Sequence, residues 1–159
     1  MRRARAAFRD LVLRPAREAD LEGMARIERR CFSTPWAERT FRGLLRRPST
    51  VVTAAEIRGR VVGYSVLWQA GAEAELGNLA VEPEFRRHGV GRALLGTVLE
   101  RARQTNISAL FLEVRESNEA ARGLYDAYGF EVVGVREGYY ASPREDALIM
   151  RLELDEVLR

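Results

Sequence analysis

Lysine is absent from this sequence: all 26 basic residues are arginine. Genome composition accounts for such a bias without any functional cause, but the absence still excludes modification of the chain on a lysine of its own. Cysteine and histidine occur once each, as Cys31 and His88. One cysteine rules out an intrachain disulfide and a cysteine-based zinc site, and it fits a reducing compartment. One histidine beside one cysteine cannot easily build a Ser-His-Asp, Cys-His or histidine-rich metal site. No Asp-x-Asp loop suggests an oxygen-rich one, so no metal is expected. No run of about 18 apolar residues exists, so neither a membrane span nor a membrane partner is expected. Net charge is only +3. That is too mild and diffuse to argue direct nucleic-acid binding, and it favours anionic ligands such as phosphates.

What is present fits one globular domain. The chain has 159 residues, of which 47% are hydrophobic and 31% charged. A domain of this size buries roughly 70% of its unfolded surface. Arg2, Arg3, Arg5 and Arg9 stand among alanines in residues 1–10. A transit peptide or a basic arm for RNA would share that composition; a strand begins at Leu11, which leaves the segment short for a transit peptide, while ribosome or RNA contact stays open. The expected organisation is a frayed basic extension over residues 1–10, one domain over 11–154 and a tail over 155–159, in the cytoplasm.

Hydrophobic spacing places the elements. Residues 11–14 read as a strand stopped by Pro15. Leu21, Met24, Ala25, Ile27 and Cys31 give residues 20–32 a helical period. Thr34 is a candidate cap and Pro35 a candidate first helical residue for a helix over 36–46. Strands follow over 50–56, 61–68 and 73–81, with Gly59 and Gly71 in the turns between them. Val90, Leu94, Val98 and Ala102 mark one face of a helix over 89–104. A strand over 109–115 leads to a helix that Ser117 and Asn118 cap and Gly129 stops. Strands over 130–136 and 147–154 close the pattern. The order implies an α/β (α+β) fold, with a mixed, mostly antiparallel sheet of about seven strands flanked by about four helices.

Residues 86–92 read Arg-Arg-His-Gly-Val-Gly-Arg between a strand and a helix. The first N–H groups of a helix have no internal partner, and the helix dipole adds positive charge there. Gly89 and Gly91 carry no Cβ to keep a pyrophosphate away from the backbone. Arg86, Arg87 and Arg92 add charge and bidentate donors. Neither a Walker loop nor a G-x-G-x-x-G fingerprint fits. Taken alone, the segment is equally a tight strand–helix turn with arginines in solvent. Together with its flanks, from Glu75 through Leu79-Ala80-Val81 and Pro83 to Leu95, it resembles the acetyl-coenzyme A signature of the GNAT acetyltransferases. That resemblance implies that Arg86, Arg87, His88, Gly89, Val90, Gly91 and Arg92 surround the pyrophosphate. It also implies that the backbone of Leu79, Ala80 and Val81 lies along the pantetheine arm. The Val81 N–H would then polarise the acetyl carbonyl and stabilise an oxyanion.

Two candidates carry acid–base chemistry. Glu113 is a carboxylate inside the apolar strand Phe111-Leu112-Glu113-Val114-Arg115. Such a group is costly unless it is paired or used. It is either a general base, an ion-pair partner of Arg115 or another arginine, or a solvent-facing strand residue. Tyr125 shares a helix face with Ala121, Leu124 and Tyr128 and reads equally as a core tyrosine. Cys31 lacks a nearby histidine and reads as core rather than as a nucleophile.

The run Leu112-Glu113-Val114-Arg115-Glu116-Ser117-Asn118 through Tyr125, with Tyr128-Gly129-Phe130, is similar to the RimI-type branch, the ribosomal-protein alanine N-acetyltransferases. So are Ile27-Glu28, Phe32 to Trp36, Tyr139-Tyr140 and the segment Arg144 to Ala147 with Met150. The similarity spans residues 11–154. It implies that Glu113 is the general base, that Tyr125 protonates the departing thiolate and that Asn118 contacts the cofactor. It also implies that Trp36, Tyr139 and Tyr140 line a peptide slot. The acceptor it implies is a peptide or protein N-terminus, from a ribosomal protein. Chemistry agrees: at pH 7 an α-amine of pKa about 7.8 is roughly one-seventh neutral, and a lysine near 10.4 only about 0.04%. A small-molecule amine or lysine acceptor stays open as the alternative.

Overall fold

The computed structural model describes residues 9–154, so most of the basic extension and the whole of the 155–159 tail lie outside the described residues. Its strands are β1 (Leu11–Pro15), β2 (Thr50–Ile57), β3 (Arg60–Ala70), β4 (Glu73–Val81), β5 (Ala109–Arg115), β6 (Glu131–Ala141) and β7 (Arg144–Glu153). Its helices are α1 (Leu21–Cys31), α2 (Glu38–Leu45), α3 (Val90–Gln104) and α4 (Glu119–Ala127), with 3-10 turns at Glu18–Asp20 and Pro83–Phe85. The seven strands hydrogen-bond in the order β1-β2-β3-β4-β5-β7-β6. β4 and β5 pair in parallel, while β1/β2, β5/β7 and β6/β7 are antiparallel. Among the described residues no helix is long and apolar enough to cross a membrane.

Contacts cluster into two compact units. The first holds the described residues up to Leu67 together with Asn78–Leu99. Its core includes Met24, Ile27, Phe41, Val62, Tyr64, Val90 and Leu94, all essentially sealed from solvent. The β2–β3 hairpin turns on Arg58 and Gly59, both at positive φ (52° and 79°). That is the signature of a two-residue type I′ turn, whose twist matches the flanking strands. Asp20, 4% exposed, anchors the chain entry to α1. It accepts both guanidinium nitrogens of Arg14 at 2.6 and 2.8 Å and the Arg17 N–H at 2.8 Å. The second unit holds Trp68–Gly77 and the described residues from Glu100 onward. Leu110, Leu112, Phe130, Ala147 and Met150 are buried there.

Three expected elements differ from the structure. The second helix starts at Glu38 rather than Trp36, with Ala37 at its cap, so Thr34 and Pro35 do not open it. The cause is long-range: the Glu28 carboxylate captures the Trp36 N–H at 3.1 Å, and the first helical bonds run to the Ala37 carbonyl. β6 continues to Ala141, and β7 begins at Arg144. Register shifts between Val132 and Gly134 and between Arg136 and Tyr140 break the period from which those strands would be read. Cys31 is half-buried and not part of the sealed core.

Candidate active site

In the first unit, β4 ends in Ala80 and Val81, both buried, and the chain turns through residues 86–89 into α3. Arg87 sits at φ +64° and Gly89 at +79°. A non-glycine residue in the left-handed region costs about 1–3 kcal/mol and persists only where its surroundings fix it. Here the fixing is done on both sides of the turn. Val81, Val90 and Leu94 pack in one cluster with Ala55 and Val62. Gly63 of β3 makes that packing possible. A Cβ there would stand 2.9 Å from the Ala80 carbonyl oxygen, 3.2 Å from Leu94 Cδ1 and 3.3 Å from Val90 Cγ1. The first turn of α3 therefore rests directly on a glycine backbone. Arg87, His88 and Arg92 are exposed, and Gly89 and Gly91 are half-buried.

Arg86, also exposed, folds back onto the end of β4. Its Nε donates to the Val81 carbonyl at 3.1 Å, and its Nη2 contacts Cys31 Sγ at 3.2 Å. The Cys31 thiol donates to the same carbonyl at 3.5 Å, and burial raises its pKa against the opposing charge of Arg86. Arg86 thus braces the end of β4. A second brace is Glu82, whose side chain is fully buried. Its Oε1 accepts from Arg30 at 2.7 Å and from Arg60 at 2.9 Å, and Arg26 stands 3.6 Å from Oε2. Arg30 also forks onto Glu84 at 2.6 and 2.9 Å, which holds the Glu84 carboxyl at about 2. These arginines pin α1 and β3 to the turn that precedes residue 86.

A third group reaches the other side of Leu79. Glu28, 1% exposed, accepts from Trp36 N–H, from the Tyr64 hydroxyl and from Asn78 Nδ2 at 3.0 Å. Burial raises its pKa, and the three donors oppose that shift. The cluster ties Trp36 and Asn78 to α1, and the Trp36 ring packs edge-on against Phe41 at 5.6 Å.

In the second unit, strand alternation sends Leu110, Leu112 and Val114 into the core and leaves Phe111, Glu113 and Arg115 half-buried on the opposite face. Glu113 Oε1 pairs with Arg136 Nε at 2.9 Å. The Tyr139 pKa is raised by burial and then by its hydrogen bond to Glu113. Arg115 also meets a carboxylate. It reaches Glu145 at 3.4 Å and lies over the Tyr140 ring at 4.1 Å. Glu145 in turn accepts the Ser117 N–H and hydroxyl, both at 2.9 Å, so the β6–β7 connection is tied to the start of α4. Tyr139 and Tyr140 meet edge to face at 5.1 Å. Burial first and the Glu113 charge second push the Tyr140 hydroxyl up to about 12.

Tyr125 is 6% exposed on α4. Asn118 caps that helix, its Oδ1 accepting the Ala121 N–H at 3.2 Å. At the other end Gly129, at φ +95°, completes a Schellman closure. Phe130 N–H bonds the Tyr125 carbonyl at 3.1 Å, and Gly129 N–H bonds the Asp126 carbonyl at 3.0 Å. The Phe130 ring then packs edge-on against Tyr125 at 5.6 Å. Burial and the neighbouring Tyr140 raise the Tyr125 pKa, so the hydroxyl stays protonated and available as a donor. A cavity of about 340 Å³ opens in this unit, with Trp68, Glu75, Phe111, Glu113 and Arg136 in its wall. Trp68 lies over Gly77, where a Cβ would fall inside the indole ring. Among the described residues, no group of three or more His, Cys, Asp or Glu side chains is arranged to hold a metal ion.

The structure therefore gathers Glu113, Tyr125, Tyr139 and Tyr140 in one unit, and Trp36 with the whole 79–92 segment in the other. Sequence reasoning missed Gly63, Gly77, Glu75, Arg136 and the buried Glu82 and Glu28 clusters. A glycine inside an otherwise apolar strand was the one available signal for the first two.

Comparison with known proteins fits this geometry. The profile of the Acetyltransferase (GNAT) family matches residues 21–130. The [Ribosomal protein bS18]-alanine N-acetyltransferase of Escherichia coli is 35% identical over 137 residues, covering 85% of this chain and 92% of that protein. The crystal structure of the Escherichia coli ribosomal-protein-S18-alanine N-acetyltransferase superposes with a TM-score of 0.84 at 33% identity, over 91% of this chain and 94% of that one. Ard1 from Thermoplasma volcanium superposes with a TM-score of 0.86 at 29% identity, over 92% and 99%.

Proposed function

The chain belongs to the acetyltransferase (GNAT) family, and on that premise we propose that it moves the acetyl group of acetyl-coenzyme A to a protein N-terminal α-amine by direct attack in a ternary complex. The acceptor is the N-terminal alanine of a small-subunit ribosomal protein, acting in the cytoplasm; the similarity to the bS18-alanine enzyme supports that choice. The observation that carries the reading is Glu113, a half-buried carboxylate that opens from an apolar strand into the cavity beside Tyr139.

The strained turn at Arg87 and Gly89 fits a pyrophosphate. It presents backbone at the mouth of a fifteen-residue helix, with Arg87 and Arg92 exposed beside it. Acetyl-coenzyme A, when bound, supplies an acetyl group already activated as a thioester. Leu79, Ala80 and Val81 then offer their backbone to its arm, and the Val81 N–H stabilises charge on the acetyl oxygen. Arg86 and Cys31 hold the Val81 carbonyl and so fix the Val81–Glu82 peptide, next to the one that carries the Val81 N–H. Glu113 removes a proton from the acceptor nitrogen, directly or through water. Tyr125 gives a proton to the departing sulfur. Asn118 holds the helix that carries Tyr125, and its side-chain amide is the cofactor contact the resemblance implies. Trp36, Tyr139 and Tyr140 are the peptide-contacting residues the resemblance implies.

The test is steady-state kinetics of Glu113→Gln and Tyr125→Phe on a peptide beginning with alanine. Each variant loses about a hundredfold or more in kcat, within the usual range for acid–base groups, while calorimetric binding of coenzyme A is unchanged. Near-normal turnover in both would remove the assigned roles.

A further inference from the structure

Two protons leave a nitrogen that starts as an ammonium and ends as an amide. One ends on the departing sulfur; the other must reach water. Glu113 can hold only one proton at a time, and its Oε1 is engaged by Arg136 at 2.9 Å. A second carboxylate, Glu75 of β4, lines the same cavity. Glu75 pairs with Phe111 across the parallel β4/β5 ladder, and Glu113 is the next residue on that face of β5. The two differ in access to solvent: Glu113 is half-buried and Glu75 exposed. Facing Glu75 are Glu113 from β5, Arg136 and Tyr139 from β6, Arg151 of β7 over the Phe111 ring, and Glu73 from its own strand.

We propose that Glu75 is the exit carboxylate of the reaction: it receives the first proton of the acceptor ammonium by way of Glu113 and releases it to water. The step balances as R–NH3⁺ plus Glu75 carboxylate giving R–NH2 plus Glu75 carboxylic acid, after which solvent takes the proton. Glu113 is thereby free for the second proton, which leaves as nitrogen attacks. Partial desolvation first and the Glu113 charge second raise the Glu75 pKa above the usual carboxylate range, with Arg136 opposing. A carboxylate so placed takes up a proton more readily than an isolated one. The role rests on the reading of Glu113 as the base.

The experiment measures kcat and KM on an Ala-first peptide at about pH 6.5 and about pH 9, on either side of an α-amine pKa near 7.8. Wild type, Glu75→Gln, Glu75→Asp and Glu113→Gln are compared, each checked by thermal melting. In Glu75→Gln, kcat falls about tenfold at the lower pH and returns to within about twofold of wild type at the higher, where the amine arrives neutral. KM is unchanged, and Glu75→Asp recovers most of the loss. An equal loss at both pH values, no loss at either, or a change confined to KM overturns the exit role. Wild-type kcat in Glu113→Gln overturns the underlying base assignment instead, and with it the role of Glu75.

Discussion

Gly63→Ala is the smallest change that reaches the proposed pyrophosphate turn at residues 86–92 without touching it. The added methyl would stand 2.9 Å from the Ala80 carbonyl oxygen and 3.2–3.3 Å from Leu94 and Val90. The oxygen belongs to β4 backbone, so it cannot rotate away as a side chain would. Val90 and Leu94 are 1% and 0% exposed, so neither can retreat into solvent. Overpacking of this kind costs about 1–3 kcal/mol. For a chain of this length that lowers Tm by roughly 2–12 °C. The strain relaxes by lifting the first turn of α3, which also moves the backbone donors that follow Gly89. Coenzyme A affinity should therefore drop about five- to thirtyfold, equivalent to about 1–2 kcal/mol of the same strain energy. Denaturant melts and calorimetric titration with coenzyme A read the two effects separately. Unchanged stability together with unchanged affinity would refute the claim that a glycine floor seats this helix.

Two further perturbations address other parts of the account. Asp20→Asn leaves Arg14 with Glu56, at 3.4 Å, as its carboxylate partner beside the Pro15 carbonyl, and should cost about 2–3 kcal/mol in a urea melt, below the range for wholly buried pairs. Arg14 first, and the Arg17 N–H further down, hold the Asp20 carboxyl below its ordinary value, with desolvation opposing. Its stabilisation is complete above about pH 4 and is lost as pH falls through the lower folded value, so Asp20→Asn should flatten that part of the acid limb. A wild-type acid limb in the variant would contradict the assignment. Gly77→Ala should expel the Trp68 ring from its place over β4 and cost about 1–3 kcal/mol. In a Trp36→Phe background the tryptophan band of the near-UV circular dichroism spectrum comes from Trp68, and an unaltered band would count against the contact.

How much could be read from the sequence depended on the range of the determining interaction. The α3 face of Val90, Leu94, Val98 and Ala102, the Asn118 cap and the Gly129 stop are settled within a turn or two of chain, and all of them stand in the structure. Trp36 misled because the decisive acceptor, Glu28, is a buried carboxylate on the preceding helix, and nothing local marks it as the partner of the Trp36 N–H. The β6 and β7 limits were obscured by bulges that break the two-residue period. In the candidate site, the acid–base residue types Glu113 and Tyr125 were legible and their partners were not. With 26 arginines in the chain, nothing local says that Glu113 takes Arg136 while Arg115 takes Glu145. Glu82 and Gly63 owe their roles to strands and helices that meet only after folding.

The central claim concerns which nitrogen receives the acetyl group. A peptide with an alanine N-terminus and an internal lysine, incubated with enzyme and acetyl-coenzyme A and fragmented by mass spectrometry, answers it in one spectrum. The account predicts a single acetyl on the α-nitrogen and an unmodified lysine. Acetyl on the lysine side chain alone, or no transfer to any free N-terminus, would contradict it.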